Sequence, residues 1–398
     1  MGTISSLCSW RLGVQILHWP VSYPDPEDGK PYSMIFIAEH IRCANIHHDN
    51  VVLVGSQKLP ENRRLFQVTR RFENGVRVIR LHQRRTGLSI FDRFLHYFLL
   101  GKELAILWWQ GFHPDIFHIH IFAEARLPVT LAKWFKIPIV VTEHWTALCR
   151  DGFLSARRLA IAKYIYESAE IVLPVCESLR KCIEKNANAT IQYQVVPNAV
   201  DTSLFYWSPP KEKCSFFQLI TVARLEEAKD IPTLLHAVAI LRQLNVDFRL
   251  SIIGRGDSLP FTLIANELGI SKQVEFLGEL PKSEIAKRMQ QADVFVLSSL
   301  WENSPCVIGE ALCCGLPVVA TAVGGVPELV SEDDGILVPP SKPQTLALAL
   351  NEVLGHPEKF VPQKITKKAH AKFSYEAIAA QLDAIYTSLA LRTNQNAI

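Results

Sequence analysis

Short β-branched and aliphatic runs alternate with longer stretches of helical periodicity along nearly the whole chain. Parallel βαβ units are the architecture this pattern permits, because a strand buried on both faces reads as a continuous apolar run and a crossover helix must follow it. Runs at residues 14–18, 51–54, 116–120, 139–142, 171–173 and 194–196 predict the strands of a first half. After the Pro- and Lys-containing segment 208–213, runs at 217–222, 249–253, 274–277, 294–297 and 317–320 predict a second sheet. A chain of 398 residues exceeds what one hydrophobic core organises, so two domains are expected. The expected fold class is α/β, with two doubly wound, Rossmann-like domains facing a cleft. The N-terminal domain spans 1–207 and the C-terminal domain 208–373. Residues 374–398 form a final helix over 375–386, packing back on the N-terminal domain, with a frayed tail from Arg392.

Composition narrows the function classes. With 48% hydrophobic and 20% charged residues the chain is core-rich, and a net charge of +3 is too small to imply nucleic acid. Nine cysteines, an odd number without a C-x-x-C pair, argue against a disulfide framework and a zinc site and fit a reducing cytosol. No run of 18 uncharged apolar residues occurs, and the first apolar run, 14–17, is too short for a signal-peptide core. The expected location is the cytoplasm. The opening Met1-Gly2-Thr3-Ile4-Ser5-Ser6 formally matches a myristoylation pattern, a motif short enough to arise by chance.

Ligands of open α/β sheets sit beyond the carboxyl ends of the strands, so residues just after strands carry the functional weight. The densest such segment is 297–319. There Ser304 is placed to cap a helix with Pro305 at its first position, and Gly315 and Pro317 stop it. Glu302 then lies in the loop before the helix and Glu310 on its second turn, flanking free amides near Ser304 that suit an anion. Two carboxylates around such a site suit a polyhydroxyl ligand, since each accepts hydrogen bonds from vicinal hydroxyls. Alone, the pair reads equally well as a helix-terminal and a solvent-facing acid. A second segment, 221–230, places Arg224 and Lys229 directly after another strand, where two cations can neutralise a diphosphate.

Together the two segments resemble the family-four glycosyltransferases of GT-B fold, whose C-terminal domain carries an E-x7-E pair and an upstream Arg/Lys pair. Glu302 and Glu310 have that spacing, and the resemblance runs from Leu17-His18-Trp19-Pro20 through Val196-Pro197-Asn198 and Gly324-Gly325-Val326-Pro327-Glu328 to the final helix. It implies that Glu310 binds a nucleotide ribose, Arg224 and Lys229 the diphosphate, and Glu302 the donor sugar, with Asn303 and Ser304 lending backbone amides. Gly254-Arg255-Gly256 resembles the family's glycine turn near the nucleotide, although a lone G-x-G also makes a ligand-free turn. Glycines common in the family are replaced here by Met34, Ala199 and Asp230. A loop without positive φ is expected at Ala199.

The first half says less. His118 and His120 share one face of a strand with Glu124 just beyond, a geometry that permits a metal. The resemblance implies no catalytic metal, and no D-x-D occurs, so a buried, hydrogen-bonded His118 is expected. His144 in Thr142-Glu143-His144-Trp145 follows a strand and is expected to reach the cleft, with His120 and Glu143 as further acceptor-side candidates. From Glu61 to Arg85 eight arginines face two acids. The aromatics Phe91, Phe94, Tyr97, Phe98, Trp108 and Trp109 follow. Basic loops beside an aromatic helix fit an anionic membrane surface or a lipid-linked acceptor, and equally a solvated surface over a core.

The resemblance thus implies an enzyme that moves a hexose, with anomeric retention, from a nucleoside-diphosphate sugar (a UDP-sugar first) to a hydroxyl of a glycan or lipid-linked acceptor. It implies no further cofactor; the small net charge points to no nucleic-acid partner, and the basic stretch to contact with the inner membrane face through Arg63–Arg85. A GT-B-fold nucleotide-sugar epimerase and a non-catalytic nucleotide-sugar-binding subunit are the alternatives.

Overall fold

The computed structural model describes residues 13–25, 34–58, 65–84, 89–209 and 215–395. Its N-terminal half runs β1 (Gln15–Pro20), α1 (Ile35–Ala44), β2 (Asp49–Lys58), β3 (Phe66–Glu73), β4 (Val76–Gln83), α2 (Ser89–Trp109), β5 (Ile116–His120), α3 (Arg126–Phe135), β6 (Ile139–Glu143), α4 (Ala156–Tyr166), β7 (Ile171–Pro174) and α5 (Glu177–Cys182). The C-terminal half continues with β8 (Phe217–Val222), α6 (Ile231–Gln243), β9 (Phe248–Ile253), α7 (Leu259–Glu267), β10 (Val274–Gly278), α8 (Lys282–Met289), β11 (Val294–Leu297), α9 (Cys306–Cys313), β12 (Val318–Thr321), α10 (Val326–Leu329) and β13 (Gly335–Val338). The helices α11 (Pro343–Gly355), α12 (Pro362–Phe373) and α13 (Tyr375–Gln395) close the chain.

Two sheets form, ordered β3-β4-β2-β1-β5-β6-β7 and β10-β9-β8-β11-β12-β13, and every pairing is parallel except β3 with β4. Helices cover both faces, so β1, β5, β6, β11 and β12 are buried almost throughout, which is why they read as unbroken apolar runs. Strand order reverses at β1/β5 in the first sheet and at β8/β11 in the second. Loops leaving neighbouring strands in opposite directions open a crevice at such points.

Helix α13 packs on α1 of the first domain. Ile378, Leu382 and Tyr386 join Val14, Ile16 and Val140 in one buried cluster. Each fully buried aliphatic contributes about 1.5–3 kcal/mol, so this strap ties the last residues to the first domain. The helix continues to Gln395, past the fraying expected at Arg392.

Several local expectations are corrected. Residues 194–196 form no assigned strand: a single bridge joins Tyr193 to Val172, and the N–H groups of Gln194 and Val196 still donate to the β7 carbonyls of Val172 and Pro174. The basic stretch read as loops contains the hairpin β3–β4, turning at Asn74-Gly75 with φ of 50° and 80°, as two-residue hairpin turns require. Arg80, taken as a surface cation, is buried. Its guanidinium pairs with Glu73 at 2.5 Å and Asp25 at 3.4 Å and donates to the Pro24 carbonyl. Arg70 pairs bidentately with buried Glu103 of α2. Two of the eight arginines are therefore neutralised within the fold. Arg63, Arg64, Arg85, most of the segment 208–213 and the opening Met1–Ser6 lie outside the described residues. Cys149 and Cys182 form a disulfide, with Cα atoms 5.0 Å apart, against the expectation from the odd cysteine count. Their separation of 33 residues makes no motif, and only the packing of α5 on the 3₁₀ turn Thr146–Cys149 brings the thiols together.

Candidate functional site

Both C-terminal segments singled out in the sequence leave the switch point of the second sheet. Arg224 and Lys229 follow β8, and Glu302 follows its neighbour β11. The loops are stitched together: Leu300 N donates to Ala228 O, and the Ser298 hydroxyl to the carbonyls of Lys229 and Asp230. This brings Lys229 Nζ to 2.5 Å from Glu302 Oε1, which also accepts from the Ser299 hydroxyl at 2.7 Å. Arg224, by contrast, is 72% exposed in its side chain, with Glu226 at 3.3 Å. Its guanidinium is thus held only by an exposed ion pair.

The glycine turn packs on the same loop. Gly254 and Gly256 have φ of 152° and 144°, and a Cβ at Gly254 would lie 1.9 Å from Ala223 O and one at Gly256 2.5 Å from Leu225 Cβ. Only glycine lets the backbone after β9 approach Arg224 this closely. Asp230 does adopt the left-handed conformation of the glycine it replaces (φ 44°), capping Thr233 N of α6 with its carboxylate. Met34 likewise takes φ 54°, whereas Ala199 is not among the positive-φ residues.

Glu310 is buried on α9. Burial pushes its carboxyl pKa up, opposed by the Lys282 ammonium 3.5 Å away. That ammonium also reaches Glu39 of α1 at 3.2 Å, so one lysine joins the two domains across the cleft. Glu39 in turn accepts from Tyr375 at the start of α13. Sequence reading missed Lys282 and Glu39. The signal for Lys282 was its place just after β10. The helix cap also differs: α9 starts at Cys306 with Pro305 as N-cap and no side-chain cap. Ser304 lies before it and gives its carbonyl to Asn198 Nδ2 at 2.9 Å.

Asn303 clasps the domains. Its amide donates to the His144 carbonyl at 3.0 Å and accepts from the Cys176 thiol at 3.1 Å, and its backbone carbonyl takes Gly325 N–H. A Cβ at Gly324 would strike Glu302 O at 1.9 Å and one at Gly325 would strike Asn303 O at 2.4 Å, so this pair of glycines is needed for contact and not merely for starting α10. Glu328, on α10, accepts from the backbone N–H groups of Glu177 and Ser178 at the start of α5.

On the first-domain side five buried histidines line up beneath the cleft. His18 Nδ1 and His120 Nε2 are 3.0 Å apart, and His18 Nε2 meets Asn50 Oδ1 at 2.6 Å. His118 bonds Thr142 and Tyr386, each at 2.7 Å. His18, His118 and His120 each bring a ring nitrogen within 4.8 Å of the others, a possible cation-binding group, although the nitrogens of His18 and His118 are all taken by neighbours. His144 Nδ1 meets Asn198 at 3.1 Å and its Nε2 has no partner. Phe36 packs against the ring at 4.6 Å. Glu143 is turned wholly inward. Its oxygens accept from the N–H groups of Phe122, His144 and Trp145 and from the Tyr166 hydroxyl, so it fixes the loop that carries His144 and offers no free oxygen.

Burial holds the imidazoles neutral, with His18 and His40 pushed down to about 4 and His118, His120 and His144 also lowered. The unfolded chain, with ordinary histidines near 6.5, binds more protons than the fold as pH drops below that value. Stability should therefore fall between about pH 6.5 and 4 and change little from these groups above about 7. Urea midpoints at about pH 7.5 and 5 check this, and a His40→Gln variant should show a shallower decline; equal midpoints in the native chain would refute it.

Residues 44–204 match the family described as Glycosyltransferase Family 4, and residues 210–372 match Glycosyl transferases group 1. A D-inositol 3-phosphate glycosyltransferase of Corynebacterium aurimucosum is 28% identical over 301 residues, spanning 68% of this chain and 71% of that protein. The solved sucrose-phosphate synthase from Thermosynechococcus elongatus superposes with a TM-score of 0.75 at 20% identity, covering 94% of this chain and 99% of the other. Anabaena Alr3699/HepE in complex with UDP-glucose does so at 0.71 and 18%, covering 94% and 99%. With both halves matched and both domains superposing on known examples, the chain belongs to the family-four glycosyltransferases of GT-B fold.

Proposed function

We propose that the enzyme moves a hexose, with retention, from a nucleoside-diphosphate sugar to a hydroxyl of a glycan or lipid-linked acceptor at the cytoplasmic face of a membrane. The observation that carries this reading is the pairing of Lys229 with Glu302 across the loops after β8 and β11, with the exposed Arg224 on the same loop as Lys229. Departure of a diphosphate builds negative charge, and two fixed cations stabilise it without any group having to reorganise. In this reading Glu302 and the diphosphate compete for Lys229, which couples sugar placement to charge neutralisation. Glu310 takes the ribose, the Gly254–Gly256 turn and the Asn303–Ser304 loop border the nucleotide, and His144 and His120 stand on the acceptor side. A UDP-sugar is the first candidate, supported by the likeness to Alr3699/HepE, which is solved with UDP-glucose.

A thermal-shift panel of UDP-, GDP- and ADP-sugars tests the donor. The correct one, at about 100 times its dissociation constant, should add roughly 2.7 kcal/mol of apparent stability. Turnover of that donor must then yield transferred or hydrolysed sugar. An isomerised free donor would make the protein an epimerase, and a shift without turnover a binding subunit. No catalytic metal is part of this proposal, since the two cations take that role. Turnover is expected to survive EDTA, and full loss restored by manganese would overturn this point.

A further inference from the structure

The opposite face of the first sheet holds a cavity that the proposed transfer does not use. Leu17 and Phe117 alternate with His18 and His118 along β1 and β5, so the histidines face α13 while the leucine and phenylalanine floor a space of about 310 Å³ between α2 and α3. Ala105 and Trp108 of α2 and Leu131 and Trp134 of α3 wall it, and its surface is almost wholly apolar. An apolar cavity of about 150 Å³ already accepts benzene, so this one has room for a longer hydrocarbon.

Its surroundings are apolar outside as well. Ile90, Phe94, Phe98, Gly101, Ala105 and Trp108 recur every three or four residues along α2 and are all exposed, with Phe94 at 68% and Trp134 across the groove at 78%. Gly101 and Ala105 are the small residues of this stripe, and both line the groove. The rim is cationic. Lys102 and Lys136, next in sequence to the lining residues Gly101, Phe135 and Ile137, are exposed, and exposed Lys133 lies over Tyr164 of α4, while neither helix exposes an acid: Asp92 is half-buried and Glu103 lies under Arg70. A second copy docked about a two-fold axis would set this rim against itself. A docked peptide would find no polar partner in the cavity for its backbone.

We propose that the α2–α3 groove takes one acyl chain of an anionic membrane lipid, with the exposed aromatic stripe lying in the bilayer interface. This rests on the reading of an acceptor at a membrane and moves the contact from Arg63–Arg85 to α2 and α3. An amphipathic helix flanked by lysines binds anionic surfaces through apolar burial together with about 1 kcal/mol per cation, a contribution that salt weakens.

The test uses the full chain with two probes: a fatty acid brominated at mid-chain, kept monomeric, and vesicles of anionic or zwitterionic phospholipid. Trp108 and Trp134 are two of eight tryptophans, so a bromine seated in the groove should quench roughly a quarter of the emission, saturably. Gly101→Leu and Ala105→Leu each fill the groove and should abolish the quenching with circular dichroism unchanged. A Cβ at Gly101 meets nothing within 4 Å, so the first variant is not expected to strain the helix. Vesicle co-sedimentation should be seen with anionic lipid, fall as salt rises, and weaken in both variants. Absent quenching, or quenching that persists in both variants, overturns the groove. Quenching without vesicle binding makes the ligand a free fatty acid, and a dimer broken by Gly101→Leu without vesicle binding gives the face to a second copy; either overturns the proposal. Loss of the donor thermal shift with quenching intact would remove the transfer reading alone.

Discussion

Replacing Lys229 by Ala is expected to lower turnover of the correct donor by roughly 100-fold or more, a loss measured on folded protein because the largely buried Glu302 also loses its counter-charge and the thermal transition falls with it. The ammonium is held 2.5 Å from Glu302, and Ser299 and the Ser298-bound loop carbonyls hold both partners in register. Removing the lysine therefore removes charge from where it would develop on the departing diphosphate and leaves Glu302 without its counter-charge. The second loss weakens the donor complex through repulsion. Arg224→Ala is expected to act in the same direction, and its exposed side chain makes a folding defect improbable as the cause. Steady-state kinetics with the donor found by thermal shift decide the matter. Near-normal kcat in both variants would remove the cationic clamp, whereas a rise in KM alone would make the cations binding groups only.

Arg80→Met should cost about 3 kcal/mol of first-domain stability, the low end of what is lost when one partner of a buried ion pair is removed. The guanidinium is 1% exposed and has Glu73 at 2.5 Å, Asp25 at 3.4 Å and the Pro24 carbonyl around it, so the substitution leaves two carboxylates facing a methionine. At roughly 2–4 °C per kcal/mol for a domain of this size, the first-domain transition should drop by about 6–12 °C. Arg84→Gln is the control: its side chain is exposed, and its backbone N–H bond to Leu65 O survives, so a change within about 0.5 kcal/mol is expected. Equal melting of the two variants would show that Arg80 contributes nothing through its ion pairs.

The sequence by itself determined the elements and what stands at their ends. Strands such as β5, β6, β11 and β12 are encoded within four or five residues, because burial on both faces forces every position to be apolar or hydrogen-bonded. The rule that ligands sit beyond strand ends then pointed to Arg224, Lys229, Glu302 and His144 before any contact was known. The Asn74-Gly75 hairpin was equally legible and was passed over in favour of the arginines around it. Tertiary structure alone decided how charge is spent. Arg80 and Lys282 carry the same charge as any surface cation, yet one is sealed against Glu73 and the other spans the cleft to Glu39, 243 residues away. Local periodicity carries no information about a partner at that distance, since the pairing exists only once α13 and the interdomain clasp have brought the domains together. For the same reason the five-histidine row, the Cys149–Cys182 bond and the bare aromatic face of α2 belong to packing. Each depends on which side chain the neighbouring element presents, and along one face of α2 the aromatics are left exposed among the described residues.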